Sequence, residues 1–310
     1  MKRSGYYMAG LWLLAALMFP LCYADQTSGP QTVQQLYPNL ASGVLTYAKV
    51  GSVPDGVLLV SGNVAVSAAD VEKTISAQPE QLRAELKKNA FFVLEQKATG
   101  ELLKKAAAQE LSEGAKDGSS SDDNRLVQTF IGELTKGVSV TDDDVETFYR
   151  ENENVFGGLP LASVRKHIEN YVLQDKQQRV VDRYIQTLGQ RVEIVVSDAW
   201  TKQQAENAKD NPLDKARVAG KPTLAIFSAA SCCGPDKMLP VSEALRRRYD
   251  TRINIIYIEP SKEQILSARY GIRAIPTEII FDSSGKEFYR HSGFLSEEDI
   301  IGKLKETGAQ

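Results

Sequence analysis

The chain has 310 residues, long enough for two domains of ordinary size. Its 42% hydrophobic and 25% charged content is that of a soluble globular protein. The net charge of −3 comes with no basic patch, so no nucleic-acid partner is expected.

At the N-terminus Lys2 and Arg3 precede an apolar run from Met8 to Leu21, and Cys22-Tyr23-Ala24 offers a small-x-small-like cleavage site before Asp25. These three parts predict a secretory signal peptide over 1–24, and with it an exported, periplasmic location. A membrane anchor needs about 20 apolar residues, more than this run supplies, so no stable span is expected after cleavage. A lipoprotein site at Cys22 would need small residues where Phe19-Pro20-Leu21 stand. Removing 1–24 takes away Lys2 and Arg3 and no acid, leaving 35 cations against 40 acids, a net charge of −5. Cys22 leaves too, and the two remaining cysteines, Cys232 and Cys233, are adjacent. That excludes a disulfide-stapled fold. In an oxidising compartment their own chemistry becomes the main question.

Residues 25–56 are polar, with no sustained periodicity, and read as an irregular lead-in in which Leu36, Tyr37, Leu40, Leu45 and Tyr47 make short contacts. Val57–Ser61 and 64–66 read as two strands across Gly62-Asn63. Ser67 with Asp70 is a helix-start signature. From there to Gly189 the pattern is helical. Leu82, Leu86, Phe91, Phe92, Leu94, Leu102 and Leu103 form a first stripe. A Gly- and Ser-rich surface loop follows at 113–124, then a second stripe, Leu126 to Leu134. Thr141 caps a further helix whose acidic run Asp142-Asp143-Asp144 suits its positive end better than a cation site. Gly157-Gly158-Leu159-Pro160 breaks the pattern. A long helix then carries Val164, Ile168, Tyr171, Val172, Val181 and Leu188, and 192–196 is a closing strand.

This order of strand pair, capped helices, "VTDDDVETFYREN", long helix and final strand resembles the SurA-type chaperone domain of periplasmic and secreted foldases. The resemblance covers 57–197 and implies unfolded or extended polypeptide clients. In many such foldases a parvulin isomerase domain is inserted in this region. Here only Gly157-Gly158-Leu159 occupies the place, leaving no room for a domain of about 100 residues. Parvulin isomerase activity is therefore not expected.

Residues 198–210 read as a polar linker, and 211–217 as a short helix. Pro222 can begin a strand without interrupting it. The apolar run Thr223–Phe227 leads into Ser231-Cys-Cys-Gly-Pro-Asp-Lys-Met-Leu-Pro240, and a helix is expected over 241–249. A cysteine between a strand and a helix sits where the helix N–H groups and dipole favour thiolate. Further on, Tyr270-Gly-Ile-Arg-Ala-Ile-Pro-Thr277 runs into a strand at 278–281 and a turn at 282–285.

These motifs, in this order, resemble thioredoxin over 211–310. Cys232-Cys233-Gly234-Pro235-Asp236-Lys237 aligns with the family's W-C-G-P-C-K, and Ile275-Pro276-Thr277 with its cis-proline loop. The resemblance implies a central mixed sheet flanked by helices, an α/β unit joined to the mainly α unit before it. It also implies a cis Ile275–Pro276 bond facing Cys233. Cys233 keeps the nucleophile's position and is the candidate thiol. Gly234, Pro235, Ile275, Pro276 and Thr277 are the candidate client-binding residues. The departures are that Asp236 replaces the resolving cysteine, Cys232 replaces the tryptophan, and Ile226 stands where the family has a buried acid. A dithiol cycle in the family's manner thus lacks its second sulfur and its proton acceptor.

Asp236 would modulate Cys233, since a nearby carboxylate opposes thiolate formation, while the same carboxylate suits the helix start. Two functions remain open. One is a client-binding protein of envelope folding with a single thiol. The other is a thiol–disulfide oxidoreductase using Cys233 with Cys232 and a thiol redox partner, although an adjacent-pair disulfide demands a strained ring. His167 and His291 read as structural. No phosphate loop or zinc pattern is present, so neither cofactor nor metal is expected.

Overall fold

The computed structural model describes residues 29–112, 123–229, 236–249 and 251–308. The expected signal peptide, most of the 113–124 loop and the tetrapeptide 232–235 lie outside them.

The segment before Val57 differs from the irregular lead-in expected. Thr32 closes a reciprocal capping box with Gln35 at the head of a short helix α1 (Val33–Leu36), and strand β1 (Lys49–Gly51) follows. Val33, Val44, Leu45 and Ala48 are at most 1% exposed and share one core with the elements that follow. Short turns between these residues erase any helical or strand period, which is why the pattern was silent.

Strands β2 (Val57–Ser61) and β3 (Val64–Ser67) form the expected antiparallel hairpin, with Gly62 at φ 59° in its turn. Ser67 then caps α2 (Ala68–Ser76), exchanging hydrogen bonds with Asp70 as the sequence predicts. Helices α3 (Glu80–Lys88), α4 (Ala90–Ser112), α5 (Asp123–Thr135) and α6 (Asp142–Glu151) follow. Thr141 and Asp144 cap α6 in the same reciprocal way. After a 3-10 turn (Glu153–Phe156), α7 (Leu161–Arg191) runs for 31 residues, about 46 Å at 1.5 Å per residue. Near its end Gly189 is obligatory, because a Cβ there would lie 2.3 Å from the Val44 carbonyl oxygen. Strand β4 (Val195–Ser197) inserts between the early strands, parallel to β1 and antiparallel to β2, giving the order β1-β4-β2-β3. The beginning and end of this unit are thereby joined in one sheet.

Residues 198–210 are not a linker. They form helix α8 (Asp198–Ala208), whose Thr201, Gln204, Ala205 and Ala208 are buried while Trp200 lies 6.1 Å from Phe91, ring to ring. Small and polar residues at the buried positions left no apolar stripe to read. Helix α9 (Pro212–Arg217) opens with Asn211 as cap and proline at its first position.

The C-terminal unit comprises β5 (Thr223–Phe227), α10 (Met238–Tyr249), β6 (Asn254–Ile258), α11 (Gln264–Arg269), β7 (Thr277–Phe281), β8 (Glu287–Ser292) and α12 (Glu297–Glu306). The sheet order is β6-β5-β7-β8, with β5 and β6 parallel and the other pairs antiparallel. Alternation splits the central strands between two layers. Leu224, Ile226 and Ile280 face Met238 and Leu245 of α10 and Ile300 and Leu304 of α12. Ala225, Phe227, Ile279 and Phe281 face Leu213, Leu266 and Tyr270. This is the mixed, helix-flanked sheet that the motifs implied. Helix α10 begins at Met238, ahead of the expected 241, because Pro240 lies in the first turn, where N–H groups have no intrahelical partner.

The two units meet along α11. Arg269 pairs with Asp214 at 3.1 Å and donates to the Ala208 carbonyl and to Asn89 Oδ1, both at 3.2 Å. The Ile265 N–H donates to Glu85 Oε1 at 3.1 Å. Among the described residues no helix is long and apolar enough to cross a membrane.

Candidate functional site

Strand β5 ends beside the start of α10, and the loop before β7 comes to the same end of the sheet. Cys232, Cys233, Gly234 and Pro235 lie outside the described residues, so the site is built from what surrounds that segment. Asp236, the first described residue after it, is fully engaged. Its Oδ1 accepts from the Ser228 hydroxyl at 2.9 Å and from the Met238 N–H at 2.8 Å, and its Oδ2 accepts from the Tyr257 hydroxyl. Asp236 therefore binds the first N–H of α10 and ties that helix to β6 and to the end of β5.

The loop before β7 places the next candidates. The Ile275–Pro276 bond is cis, and Ile275 exposes 43% of its surface. Thr277 is buried, donates to the Ala274 carbonyl at 2.8 Å and shares a hydrogen bond with Ser292 at 3.1 Å. The Pro276 carbonyl accepts from the Gly293 N–H at 2.9 Å, which fastens the loop to the end of β8. Ile275, Pro276 and Thr277 thus stand together with Ser292 and Gly293, two residues the sequence did not single out.

The N-terminal unit comes up against this loop. Asn152 at the end of α6 is buried and donates through Nδ2 to the Phe148 carbonyl. Its Oδ1 lies where a Cβ on Gly293 would be only 2.0 Å away. Between the units is a cavity of about 240 Å³, lined on one side by Phe148, Phe156, His167, Ile168 and Tyr171, and on the other by Ala274, Ile275 and Gly293. The rings of Phe148 and Tyr171 are 5.0 Å apart, and those of Tyr149 and Phe156 5.4 Å. Only the fold reveals that one end of the α6–α7 apolar stripe opens onto the proline loop, with His167 at its wall.

Beneath the loop lies the residue that the motif reading passed over. Glu278, in the second position of β7, is fully buried, and among the described residues neither carboxyl oxygen has a hydrogen-bond partner. Loss of hydration pushes its carboxyl up to about 8. It sits directly opposite Ile226 on one side and His291 on the other. His291 is half-buried, its Nε2 has no partner among the described residues, and burial pushes its imidazole below the usual range against the pull of Glu151 and Asp299. A lone carboxylate inside Thr-Glu-Ile-Ile-Phe was the available signal. Among the described residues no group of three or more His, Cys, Asp or Glu is placed to hold a metal ion.

Comparison with known proteins addresses the same C-terminal unit. Residues 209–308 match the family profile described as a thioredoxin-like domain. The chain is 37% identical over 89 residues to a thioredoxin of Porphyra purpurea, a stretch covering 28% of this chain and 72% of that protein. The chain belongs to the thioredoxin family. It is also 30% identical over 104 residues to thioredoxin Y, chloroplastic, of Oryza sativa subsp. japonica, and 33% identical over 78 residues to a thioredoxin of Borreliella burgdorferi. These matches cover 34% and 25% of this chain, and the chain spans 60% and 66% of the length of those two relatives. The thioredoxin match thus begins within the residues joining α8 to α9, with the cavity-forming helices α6 and α7 lying before it.

Proposed function

We propose that this protein is an exported, periplasmic, client-binding member of the thioredoxin family, acting in envelope protein folding or quality control. Family membership supports a thiol–disulfide oxidoreductase-like role for the C-terminal unit. In the present reading Cys233 is the single working thiol, and the helical unit, which resembles the SurA-type chaperone domain, holds unfolded or extended polypeptide. The observation that carries this reading is the apolar cavity built by α6 and α7 against the proline loop, with Ile275 exposed at its edge. An extended strand passing the loop would place one apolar side chain in that cavity while its backbone ran beside residues 275–277. Without a cysteine at 236, a disulfide formed between Cys233 and a client would persist until an external thiol attacked it.

The test uses the reduced full chain and an unfolded client whose single cysteine is carried as a mixed disulfide with a small aromatic thiol, which leaves as the new disulfide forms. A covalent complex should accumulate, vanish on adding dithiothreitol, be absent in Cys233→Ser and persist in Cys232→Ser. The same protein should suppress aggregation of an unfolded client at equimolar amounts without accelerating prolyl isomerisation. Rapid dithiol turnover by the wild type, or unchanged aggregation, would contradict the proposal. Loss of turnover in both single-cysteine variants would instead assign the chemistry to a Cys232–Cys233 pair.

A further inference from the structure

A strand at the edge of a sheet carries backbone donors and acceptors that its own sheet does not use. Strand β8 is such an edge, pairing with β7 alone in the order β6-β5-β7-β8. The register fixes which of its groups are free. The Gly293 N–H donates to the Pro276 carbonyl, so positions 276 and 293 form a hydrogen-bonded pair. Such pairs alternate along an antiparallel ladder, which makes Thr277–Ser292 and Ile279–Arg290 non-hydrogen-bonded pairs. The N–H and C=O groups of Arg290 and Ser292 therefore point away from β7, and among the described residues no strand faces them.

Beyond that edge lies a groove. Helices α6 and α7 stand across from Arg290, His291 and Ser292 and enclose an open space of about 800 Å³, the size of a ligand pocket. The groove runs into the apolar cavity of about 240 Å³, because Phe148, Asn152, Tyr171, Ala274 and Ser292 line both. Its charges do not balance. On the helical wall Lys176 holds Asp144, and Arg179 pairs with Asp175 at 2.7 Å. On the other wall Asp182 holds Arg273, and Glu287 pairs with Arg290 at 2.7 Å. Those pairs cancel. Asp143 and Glu151 of α6 remain, both exposed and neither in an ion pair among the described residues. His291, on which Glu151 and Asp299 act, is the one other titratable group at this wall, and burial favours its neutral form. The groove thus keeps the negative charge of Asp143 and Glu151.

We infer that the groove binds an extended, cationic segment of a client polypeptide as an added strand on β8, with one apolar side chain seated in the adjoining cavity. The inference rests on the client-binding reading and names the chemistry of the bound segment. Its backbone bonds Arg290 and Ser292, which gives affinity for extended chains of many sequences. Its side chains select. Glu151 lies three residues from Phe148 on α6, so their β-carbons are about 5 Å apart. Two residues of an extended chain span about 6.6 Å. An apolar residue packed on Phe148 therefore brings the residue two positions away to Glu151, where Lys or Arg is favoured. Asp143, five residues from Phe148 in the other direction and about 7.5 Å along the axis, can hold a second cation. A second copy of this chain fits the edge less well, because α6 and α7 close the groove on its far side and leave room for a strand, not for a folded sheet.

The experiment titrates the full-length protein with a short cysteine-free peptide of alanine and threonine that carries one phenylalanine and, two residues on, one lysine. Calorimetry gives the affinity, and hydrogen exchange read by mass spectrometry gives the place of binding. The peptide should protect residues 288–292 from exchange. Replacing its lysine by glutamate should weaken binding about tenfold, and Glu151→Gln or Asp143→Asn about threefold each, with the differences shrinking as salt is added. Glu151→Lys should reverse the preference between the two peptides at an unchanged melting temperature. N-methylating alternate peptide amides on the side facing β8 should weaken binding about tenfold or more, and methylating the other set should not. Equal affinity for the lysine and glutamate peptides, no protection at 288–292, or no binding at all would overturn the inference. If the protein then still suppressed client aggregation, the client-binding reading would stand without this groove; if it did not, both would fall. A dimer in sedimentation with 288–292 already protected in the free protein would give the edge to a second copy and overturn the inference as well.

Discussion

Replacing Asp236 by cysteine should give the protein a second sulfur at the expense of the joint that Asp236 makes. The carboxylate accepts three hydrogen bonds, from Ser228, Met238 and Tyr257. A thiol is a weak acceptor and cannot replace them. Losing the bond to the helix start costs about 1 kcal/mol. Ser228 is 3% exposed, so its hydroxyl would be left dry, at about 1–3 kcal/mol. Together Asp236→Cys should destabilise the C-terminal unit by about 2–4 kcal/mol, read as a lower urea midpoint at unchanged slope. Asp236→Asn keeps the side-chain carbonyl for the Met238 N–H and should lose about 1 kcal/mol or less. In activity the order reverses. Wild type and Asp236→Asn should reduce insulin disulfides at near-background rates in the presence of dithiothreitol, because neither can resolve a mixed disulfide within the chain. Asp236→Cys should show multiple turnover. A cysteine variant as stable as the wild type would refute the anchoring role, and a wild type that turns over like an ordinary dithiol thioredoxin would refute the chemistry.

Stability should also depend on pH through Glu278. Its carboxyl is raised from 4.5 to about 8 on folding, so the stabilisation is complete below 4.5 and is lost as pH rises through 8. The loss is on the order of 5 kcal/mol at most, and Glu278→Gln should flatten this part of a urea-midpoint profile, whereas an unchanged slope would place the titration elsewhere. Gly293→Ala should prise the units apart at the loop, since its Cβ meets Asn152 Oδ1 at 2.0 Å and φ is 122°. Small-angle scattering should show expansion, and Asn152→Ala should reverse it only in part, because the backbone strain of about 1–3 kcal/mol remains. Ile275→Ser removes an exposed apolar side chain without touching the core, so an extended apolar peptide should bind about tenfold more weakly with no change in melting temperature, corresponding to about 1.4 kcal/mol. Equal affinity in calorimetry would remove Ile275 from the client surface.

Which parts of this architecture can be read from sequence follows from the kind of interaction that forms each part. Caps are local, so Ser67 with Asp70 and Thr141 with Asp144 were legible from spacing alone and formed as expected. The hairpin over Gly62 and the strand Thr223–Phe227 were legible for the same reason. The segment 25–56 and helix α8 were not, because their buried faces are assembled from turns or from alanine, threonine and glutamine rather than from an apolar period. A fragment starting at Val57 would thus lose Val33, Val44 and Leu45 from its core and β1 from its sheet, and is not a self-sufficient unit.

The site shows the same division. Pro276 and Thr277 were legible because the loop repeats a known motif, and Asp236 because it breaks one. Glu278 became visible only through register. In sequence it is one charge in a buried strand, 52 positions from Ile226, and only the pairing of β5 with β7 sets the two side by side on one face. The departure at Ile226 and the anomaly at Glu278 then answer each other. An acid missing from one strand and an unpartnered acid present at the facing position of the next put a carboxyl into the same layer beneath α10. Strands in a sheet lie about 4.8 Å apart, so the relocation moves the group by one strand and leaves its face unchanged. Asp236, by contrast, stands where the resolving sulfur would, and the hydrogen bonds it accepts from Ser228, Met238 and Tyr257 put that position to structural use, so restoring a sulfur there has to break the joint between β5, β6 and the start of α10.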